Sequence, residues 1–507
     1  MGSMKWTEDQ QRVIDARDSN ILVSAAAGSG KTAVLVERII QEVTDAEHPI
    51  DIDRLLVVTF TNAAAGEMRQ RVGKALEEAL VEHPGDKRLQ KQLSLLHNAQ
   101  ITTIDSFCQS IIRNYFHVID LDPVFRVADD TEIKLMKQEV LDEVLEECYQ
   151  RAEAEPETEE NRNFIAMIDA FSTGRDDSAA GNLVLDVHNM SQSAPWPEDW
   201  LNGIVDIYEK KTTDWITELQ GYVADMLEGY LAQARRTLEI CRQDGPEEYE
   251  PAIWSDIEQL EQCAAVSDYE DYAKYICGFQ KKKLASSKAE NKKIIQDMRK
   301  TYIDKGIRKL EEKYFREELQ GPYEQMAPAV KGLVQTTKLF EEAFSVRKRE
   351  DGVLDFNDME HFALQILVDH EQGDVPSAVA KELQEYYQEI MIDEYQDSSY
   401  IQEALLSSLS RAEQGQRPYL FMVGDVKQSI YRFRQARPEL FNGKYEAYGS
   451  DPEMGQRIDL HQNFRSREMV LESTNFLFEK IMQKCLGGIV YDEAASLVPG
   501  AVFPEDS

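Results

Sequence analysis

Apolar residues in the first 120 positions come in short unbroken runs, each followed by an amphipathic stretch. Ile21-Leu22-Val23-Ser24 reads as a buried strand, and Ala33–Val43 as a helix with Val34, Leu35, Ile39 and Ile40 on one face. Leu55–Phe60 is a second continuous β-branched and aromatic run, of the kind covered on both faces of a sheet. Ala63–Glu82 reads as a helix, Gln100–Thr103 as a short strand, and Ser106–Phe116 as another helix. Strand and helix in alternation predict an α/β fold on a parallel sheet.

The pattern changes near Pro123. From there to about residue 350 the chain is mostly amphipathic helix, with loops expected at Gly174–Gly181 and Gln243–Pro246. Strand runs return at Glu389–Ile392 and Tyr419–Val423, each followed by a helical pattern. The simplest organisation is one α/β domain, residues 4–122 and 350–450, interrupted by a large helical insertion at 123–349. A third region, 451–507, opens with a strand-like Ile458-Asp459-Leu460 and a helix from Ser466 to about Lys484.

Composition bounds this picture without altering it. The chain has 507 residues, 42% hydrophobic and 29% charged, which is a globular balance. No apolar run approaches the ~20 residues of a membrane span. The six cysteines include no C-x-x-C pair and read as free thiols of a cytoplasmic protein. Met1-Gly2-Ser3 resembles a cloning remnant ahead of a natural start at Met4. The net charge of −37 runs against the basic balance of most nucleic-acid binders, although contact depends on the local field in a groove. One segment has the opposite sign: Gln280–Lys300 reads as a basic, helix-like stretch, either a solvated face or a contact with a nucleic-acid backbone.

The first strand runs into Ala25-Ala26-Ala27-Gly28-Ser29-Gly30-Lys31-Thr32. An ordinary strand–turn–helix could carry such a pattern, but so does a phosphate cradle. In the cradle the glycines turn backbone N–H groups toward one point, Lys31 reaches the β- and γ-phosphates and the Thr32 hydroxyl meets Mg²⁺. Ala25 replaces the first glycine of the usual pattern. The strand Ile390-Met391-Ile392 ends in Asp393-Glu394, and ATP hydrolysis needs one carboxylate for Mg²⁺ and another for the attacking water. After the next strand, Gln428 is a candidate sensor of the γ-phosphate. Phe60 and Asn62 on one loop, and Tyr431, Phe433 and Arg434 on another, make the mixture a single-strand platform uses; taken singly, Phe60 or Phe433 would also suit a core.

The ordered blocks AAAGSGKT, TFTNAAAGEMRQRV, TTIDSF, DEYQD, GDVKQSIYRFR and NFRS resemble the superfamily-one helicases of the UvrD/Rep type. WTEDQ near the front, LDFNDMEH at 354–361 and the long insertion are most similar to the AddA subunits of bacterial AddAB helicase–nucleases. The resemblance implies a RecA-like P-loop motor domain split by a helical insertion, followed by the start of a second motor domain. It implies an ATP- and Mg²⁺-dependent 3′→5′ DNA helicase or translocase that works with an AddB-like nuclease subunit in double-strand-break repair. A stand-alone UvrD-type repair helicase, or a nucleotide- and DNA-binding module without motor activity, are the alternatives.

By position, the resemblance gives Gln10 the adenine edge and Phe464 the adenine face. It gives Lys31 and Thr32 the phosphates and Mg²⁺, Asp393 the Mg²⁺, Glu394 the catalytic carboxylate, Gln428 the γ-phosphate and Arg465 the first arginine finger. Phe60, Asn62, Thr103, Tyr431, Phe433 and Arg434 would contact single-stranded DNA. Asp105 stands where relatives commonly have His, and Phe433 where many have Trp. The later helicase motifs and a nuclease domain are missing, so the chain reads as an N-terminal fragment.

Overall fold

The computed structural model describes residues 6–503 except 173–175, 210–212, 316–322, 483–489, 494 and 502. Its centre is a six-stranded sheet. The strands are β1 (Ile21–Ala25), β2 (Leu55–Thr59), β3 (Gln100–Thr103), β4 (Glu389–Ile392), β5 (Tyr419–Gly424) and β6 (Gln456–Leu460), in the order β6-β1-β5-β4-β2-β3. Every neighbouring pair is parallel.

The continuous apolar runs follow from burial on both faces. Successive side chains alternate, so Leu22, Leu56, Val58, Ile390, Ile392, Leu420 and Met422 enter one core. Ile21, Val23, Leu55, Val57, Met391, Phe421 and Val423 enter the other. Helices α1 (Glu8–Asp15), α2 (Lys31–Thr44) and α3 (Asn62–Glu82) cover the second face. Helices at Ile104–Tyr115, Phe356–Leu367 and Tyr400–Ser408 cover the first. Because all six strands run the same way, their C-terminal ends share one edge, the edge where open α/β sheets place ligands.

The strand expected to open a second sheet domain is an edge strand of this one. β6 pairs with β1 from Ile21–Gln456 to Ala25–Leu460, and Ile458 and Leu460 fill the same core as Val23 and Ala25. The helix after it spans Glu468–Ile481, starting later than expected; positions 483 and 484 of that expectation lie outside the described residues.

The chain divides into two compact units. One comprises residues up to Glu146, Val184–Trp200 and Thr337 onward, and holds the sheet. The other, Glu147–Leu183 with Leu201–Thr336, is helical. In the helical unit, Leu227, Cys241, Ile253, Leu260, Ile276 and Tyr302 share a core. Within it Asp256 accepts from Arg299 at 2.6 and 2.8 Å and from the Tyr302 hydroxyl at 3.0 Å.

Three expectations for this region change. The basic segment is helical only from Lys292 to Tyr302, and residues 280–290 are irregular. Side chains there take the backbone groups a helix would use: Gln259 bonds both the N–H and the carbonyl of Gln280, and Arg299 donates to the Lys282 carbonyl at 2.7 Å. Lys281 pairs with Asp304, whereas Lys282, Lys283 and Lys288 are exposed. The loop expected at 174–181 gives way to a helix from Ser178, with Ala180 fully buried; positions 174 and 175 lie outside the described residues. The loop expected at 243–246 shrinks to Gly245-Pro246, because the preceding helix runs to Asp244. The five described cysteines are free thiols, and Cys485 lies outside the described residues.

One buried cation ties the sheet to its N-terminal helices. Arg38 on α2, 1% exposed, donates to the carbonyls of Val13 and Ala16 at 2.9 and 2.6 Å and to Glu389 Oε1 at 2.6 Å. Its guanidinium also lies 4.4 Å from the Phe421 ring centre. Removing one partner of such a pair strands the other charge, at a cost of about 3–5 kcal/mol. Arg38→Ala is expected to lose that much stability in urea unfolding, and a loss under about 1 kcal/mol would show the pair to be dispensable.

Candidate nucleotide and nucleic-acid site

At the C-terminal edge of the sheet, β1 turns through Ala26–Gly30 into α2. Gly28 and Gly30 have φ of +72° and +84°, values that favour glycine. The loop is braced from the N-terminus. Thr7 caps α1 in a reciprocal box with Gln10, and Gln10 Nε2 donates to the Ser29 carbonyl at 3.0 Å. Ala25 closes β1 in the sheet core, Ala26 is buried and Ala27 half-buried, so the residues ahead of the glycines are packing positions as well as loop. Lys31 and Thr32 open α2, both half-buried, where the helix's N-terminal end favours an anion.

β4 delivers the carboxylates. Glu394 has φ +55°, uncommon for a non-glycine residue, and its Oε2 meets Lys31 Nζ at 2.9 Å. Burial, and then the neighbouring Glu394 charge, push Asp393 up to about 6; Lys31 opposes this. Asp397 is likewise pushed up to about 6, chiefly by burial and then by Glu394.

Gln396, 1% exposed, joins β4 to β5. Its Nε2 donates to Glu394 Oε2 at 2.9 Å and to Asp397 at 3.2 Å, while its Oε1 accepts the Asp425 N–H at 2.9 Å. Asp425 in turn accepts from Gln428 Nε2 at 2.8 Å and pairs with Lys427 at 2.9 Å. Lys31, Glu394 and Gln428 therefore share one hydrogen-bonded chain. Gln396 and Asp425 escape a reading of sequence alone, where their only mark is membership of the blocks DEYQD and GDVKQ.

Arg465 is exposed, and Phe464 is half-buried against Gly500, where an added Cβ would come within 2.7 Å of its ring. Both follow β6, whose pairing with β1 carries them to the phosphate-loop strand.

Three aromatic rings cluster at the same edge. Phe60, just past β2, lies 4.9 Å from Tyr431 between ring centres, and Tyr431 lies 5.7 Å from Phe433. Phe433 is 76% exposed, which rules out the core reading for it. Asn62 opens α3, exposed, behind the Thr61 cap. Arg434 closes the same short turn as Phe433, but its side chain lies outside the described set. Thr103 does not join the group. It is buried, and its hydroxyl caps the helix Ile104–Tyr115, taking the Ser106 N–H at 3.3 Å and donating to Ser106 Oγ at 2.9 Å. Asp105, the departure from the family's His, is half-buried beside it, and burial pushes its carboxyl up.

A magnesium nucleotide suits these residues. The loop is open on its glycine side, and Ser29 Oγ is buried with no protein partner. Asp393 is a desolvated carboxylate that a cation would relieve. No group of three or more His, Cys, Asp or Glu side chains among the described residues could hold a metal ion. Magnesium is commonly held by one or two protein ligands together with substrate phosphates. Among the described residues no helix is long and apolar enough to cross a membrane.

A parallel sheet with a glycine loop ahead of Lys-Thr, and paired carboxylates two strands away, defines a P-loop nucleotide-binding domain. The chain belongs to the UvrD/REP helicase family, whose N-terminal domain pattern matches residues 6–449. It is 45% identical over its whole length to the A subunit of the ATP-dependent helicase/nuclease of Lachnoclostridium phytofermentans, covering 38% of that protein. Proteins of the same name from Clostridium beijerinckii and a Thermoanaerobacter species are 40% and 42% identical over 100% and 99% of the chain. The chain spans about two fifths of the length of these curated relatives.

The Asp393 shift has a measurable consequence. Its folded value, about 6, exceeds the ordinary 3.8, so between those values the folded chain holds a proton that the unfolded chain has lost. The extra stability from that proton is fully present below about pH 4 and is lost as pH rises through about 6. Asp393→Asn is therefore expected to be more stable than the parent at about pH 8, by about 1–3 kcal/mol, with the gap closing toward about pH 4. Urea unfolding at the two pH values tests this; equal stability at the higher pH refutes it.

Proposed function

We propose that this chain is the nucleotide-hydrolysing part of an ATP-driven 3′→5′ DNA helicase, a subunit of a helicase–nuclease that processes double-strand breaks for recombination. The observation that carries the reading is the hydrogen-bonded chain from Lys31 through Glu394, Gln396 and Asp425 to Gln428. ATP would supply the transferable phosphoryl group, and Mg²⁺ would supply neutralising charge at it. Lys31 and the Gly28–Gly30 loop would hold the phosphates, Thr32 and Asp393 the metal, Gln10 and Phe464 the adenine. Glu394 would orient a water and draw its proton, Gln428 would register the γ-phosphate, and Arg465 would offset charge on the transferring group.

Phe60, Asn62, Tyr431, Phe433 and Arg434 form the proposed single-strand platform, with stacking as its main contact. Thr103 is assigned to helix capping instead. Residues 4–122 and 350–450 are proposed as the first motor domain and 123–349 as its insertion. The start of the second motor domain is moved from 451 to beyond Leu460, because β6 belongs to the first sheet. The relatives' shared name supports a nuclease-linked partner subunit, an AddB-like one, with duplex DNA as the further substrate and the cytoplasm as the compartment.

Glu394→Gln is expected to bind Mg-ATP while turnover falls by about 10²–10⁴, the range for losing a positioned general base. Lys31→Ala is expected to lose ATP binding itself, because charge-assisted phosphate contacts are the strong ones. Parent-like turnover in either well-folded variant would refute the assignment. Phe433→Ala is expected to weaken binding of a single-stranded oligonucleotide by about 1–3 kcal/mol. An unchanged affinity in a fluorescence titration would return Phe433 to an incidental surface residue.

A further inference from the structure

The phosphate loop is shaped from outside by a residue more than 430 positions away. Asn463 is 2% exposed. Its Nδ2 donates to the Ala27 carbonyl at 2.6 Å, and its Oδ1 accepts the N–H groups of Arg465 and Ser466 at 2.9 and 2.7 Å. The next residue continues the clasp, with the Phe464 N–H on the Gly28 carbonyl at 2.9 Å. Gln10 holds the third successive carbonyl, that of Ser29. The fit leaves no room for a side chain at position 28, where a Cβ would lie 2.7 Å from Asn463 Nδ2.

A trans peptide points its C=O and the following N–H in opposite directions. Fixing the carbonyls of Ala27 and Ser29 therefore fixes the N–H groups of Gly28 and Gly30 on the other side of the loop. Those are the two residues with positive φ. The Ser29 N–H is spent inside the loop, on the Ala26 carbonyl at 3.1 Å.

We propose that Asn463 is a positioning residue that aims the phosphate-loop N–H groups and holds the Arg465 segment in register with them, so that the two respond to nucleotide as one piece. This rests on the nucleotide reading above. The amide's two ends do separate jobs: Nδ2 serves the loop, and Oδ1 serves residues 465 and 466. An unpaired Ala27 carbonyl would leave the 27–28 peptide free to turn over, taking the Gly28 N–H out of the cradle. Loss of Oδ1 would release the backbone beneath Arg465.

The two jobs predict different kinetics. Asn463→Asp keeps the acceptor and loses the donor, so KM for ATP and the dissociation constant of Mg-ADP should rise about tenfold, the equivalent of one good hydrogen bond, with kcat near the parent's. Asn463→Ala loses both ends, so kcat should fall as well. Calorimetry with Mg-ADP and steady-state ATP turnover measure the split. Hydrogen exchange of the nucleotide-free protein is the second readout. In Asn463→Ala, the peptides covering 26–30 and 464–466 should exchange faster together, with β1 and β5 unchanged.

Mg-ADP affinity within about twofold of the parent in both variants, or faster exchange in only one of the two segments, would overturn the proposal. Failure of the parent to bind Mg-ADP at all would instead remove the nucleotide reading, and the exchange result would still decide whether Asn463 couples the segments.

Discussion

Lys31 and Glu394, 363 positions apart, meet at 2.9 Å, and the site is organised around that contact. It exists because β1 and β4 end at the same edge with only β5 between them. Each group is partly withdrawn from water, and each offsets the other's desolvation. An ammonium at the start of a helix, beside a glycine loop, is otherwise surrounded by donors. In the ligand-free chain Glu394 is the anion those donors face. Phosphate binding on the proposed reading is therefore an exchange of one anion for another at Lys31, and the exchange frees Glu394 from its cation while Gln396 still holds it.

The Gln396 amide gives that exchange a direction. It has a donor on Glu394 and an acceptor on the Asp425 N–H, so a shift of the carboxylate is felt at the end of β5. The contact is too close to be slack: a Cβ on Gly424 would fall 2.4 Å from Gln396 Oε1. Asp425 holds Gln428, and the chain reaches Tyr431, which touches Phe60, three residues later. The nucleotide side and the aromatic side are two ends of one short loop. Coupling between them needs no long path, only a loop that cannot move one end alone.

The sheet and the chemistry at its edge were legible in the sequence for a common reason. Parallel strands buried on both faces must be continuous apolar runs, and the polar residues closing Leu22-Val23, Val57-Val58 and Ile390-Ile392 had to lie where those strands end. Glycines at 28 and 30 mark positive φ directly. What stayed hidden depends on partners distant in sequence. The strand at 456–460 looks the same whether it begins a new sheet or closes the old one, and only its register on β1 decides. Residues 280–290 lose their helix to side chains of Gln259 and Arg299, which nothing in the local pattern announces. Thr103 is polar at a strand end like Asn62, yet the turn into its helix spends the hydroxyl as a cap.

The charges around the aromatic rings clarify how so acidic a chain could hold a polyanion. The cations nearest in sequence are largely engaged: Lys427 pairs with Asp425 at 2.9 Å, Arg432 with Glu439 at 2.9 Å and Lys31 with Glu394. Phosphate neutralisation by free lysines is therefore a poor basis for binding at this edge. Stacking is a better one, because every base offers a π-face and the interaction asks nothing of net charge. Phe60, Tyr431 and Phe433 provide such faces, and Phe433 stands well clear of the surface. A strand held by its bases rather than its phosphates can be released by a small loop shift, since no ion pair has to break. On the proposed reading, that is the property a device needs if it is to let go of DNA and take hold again with each nucleotide cycle.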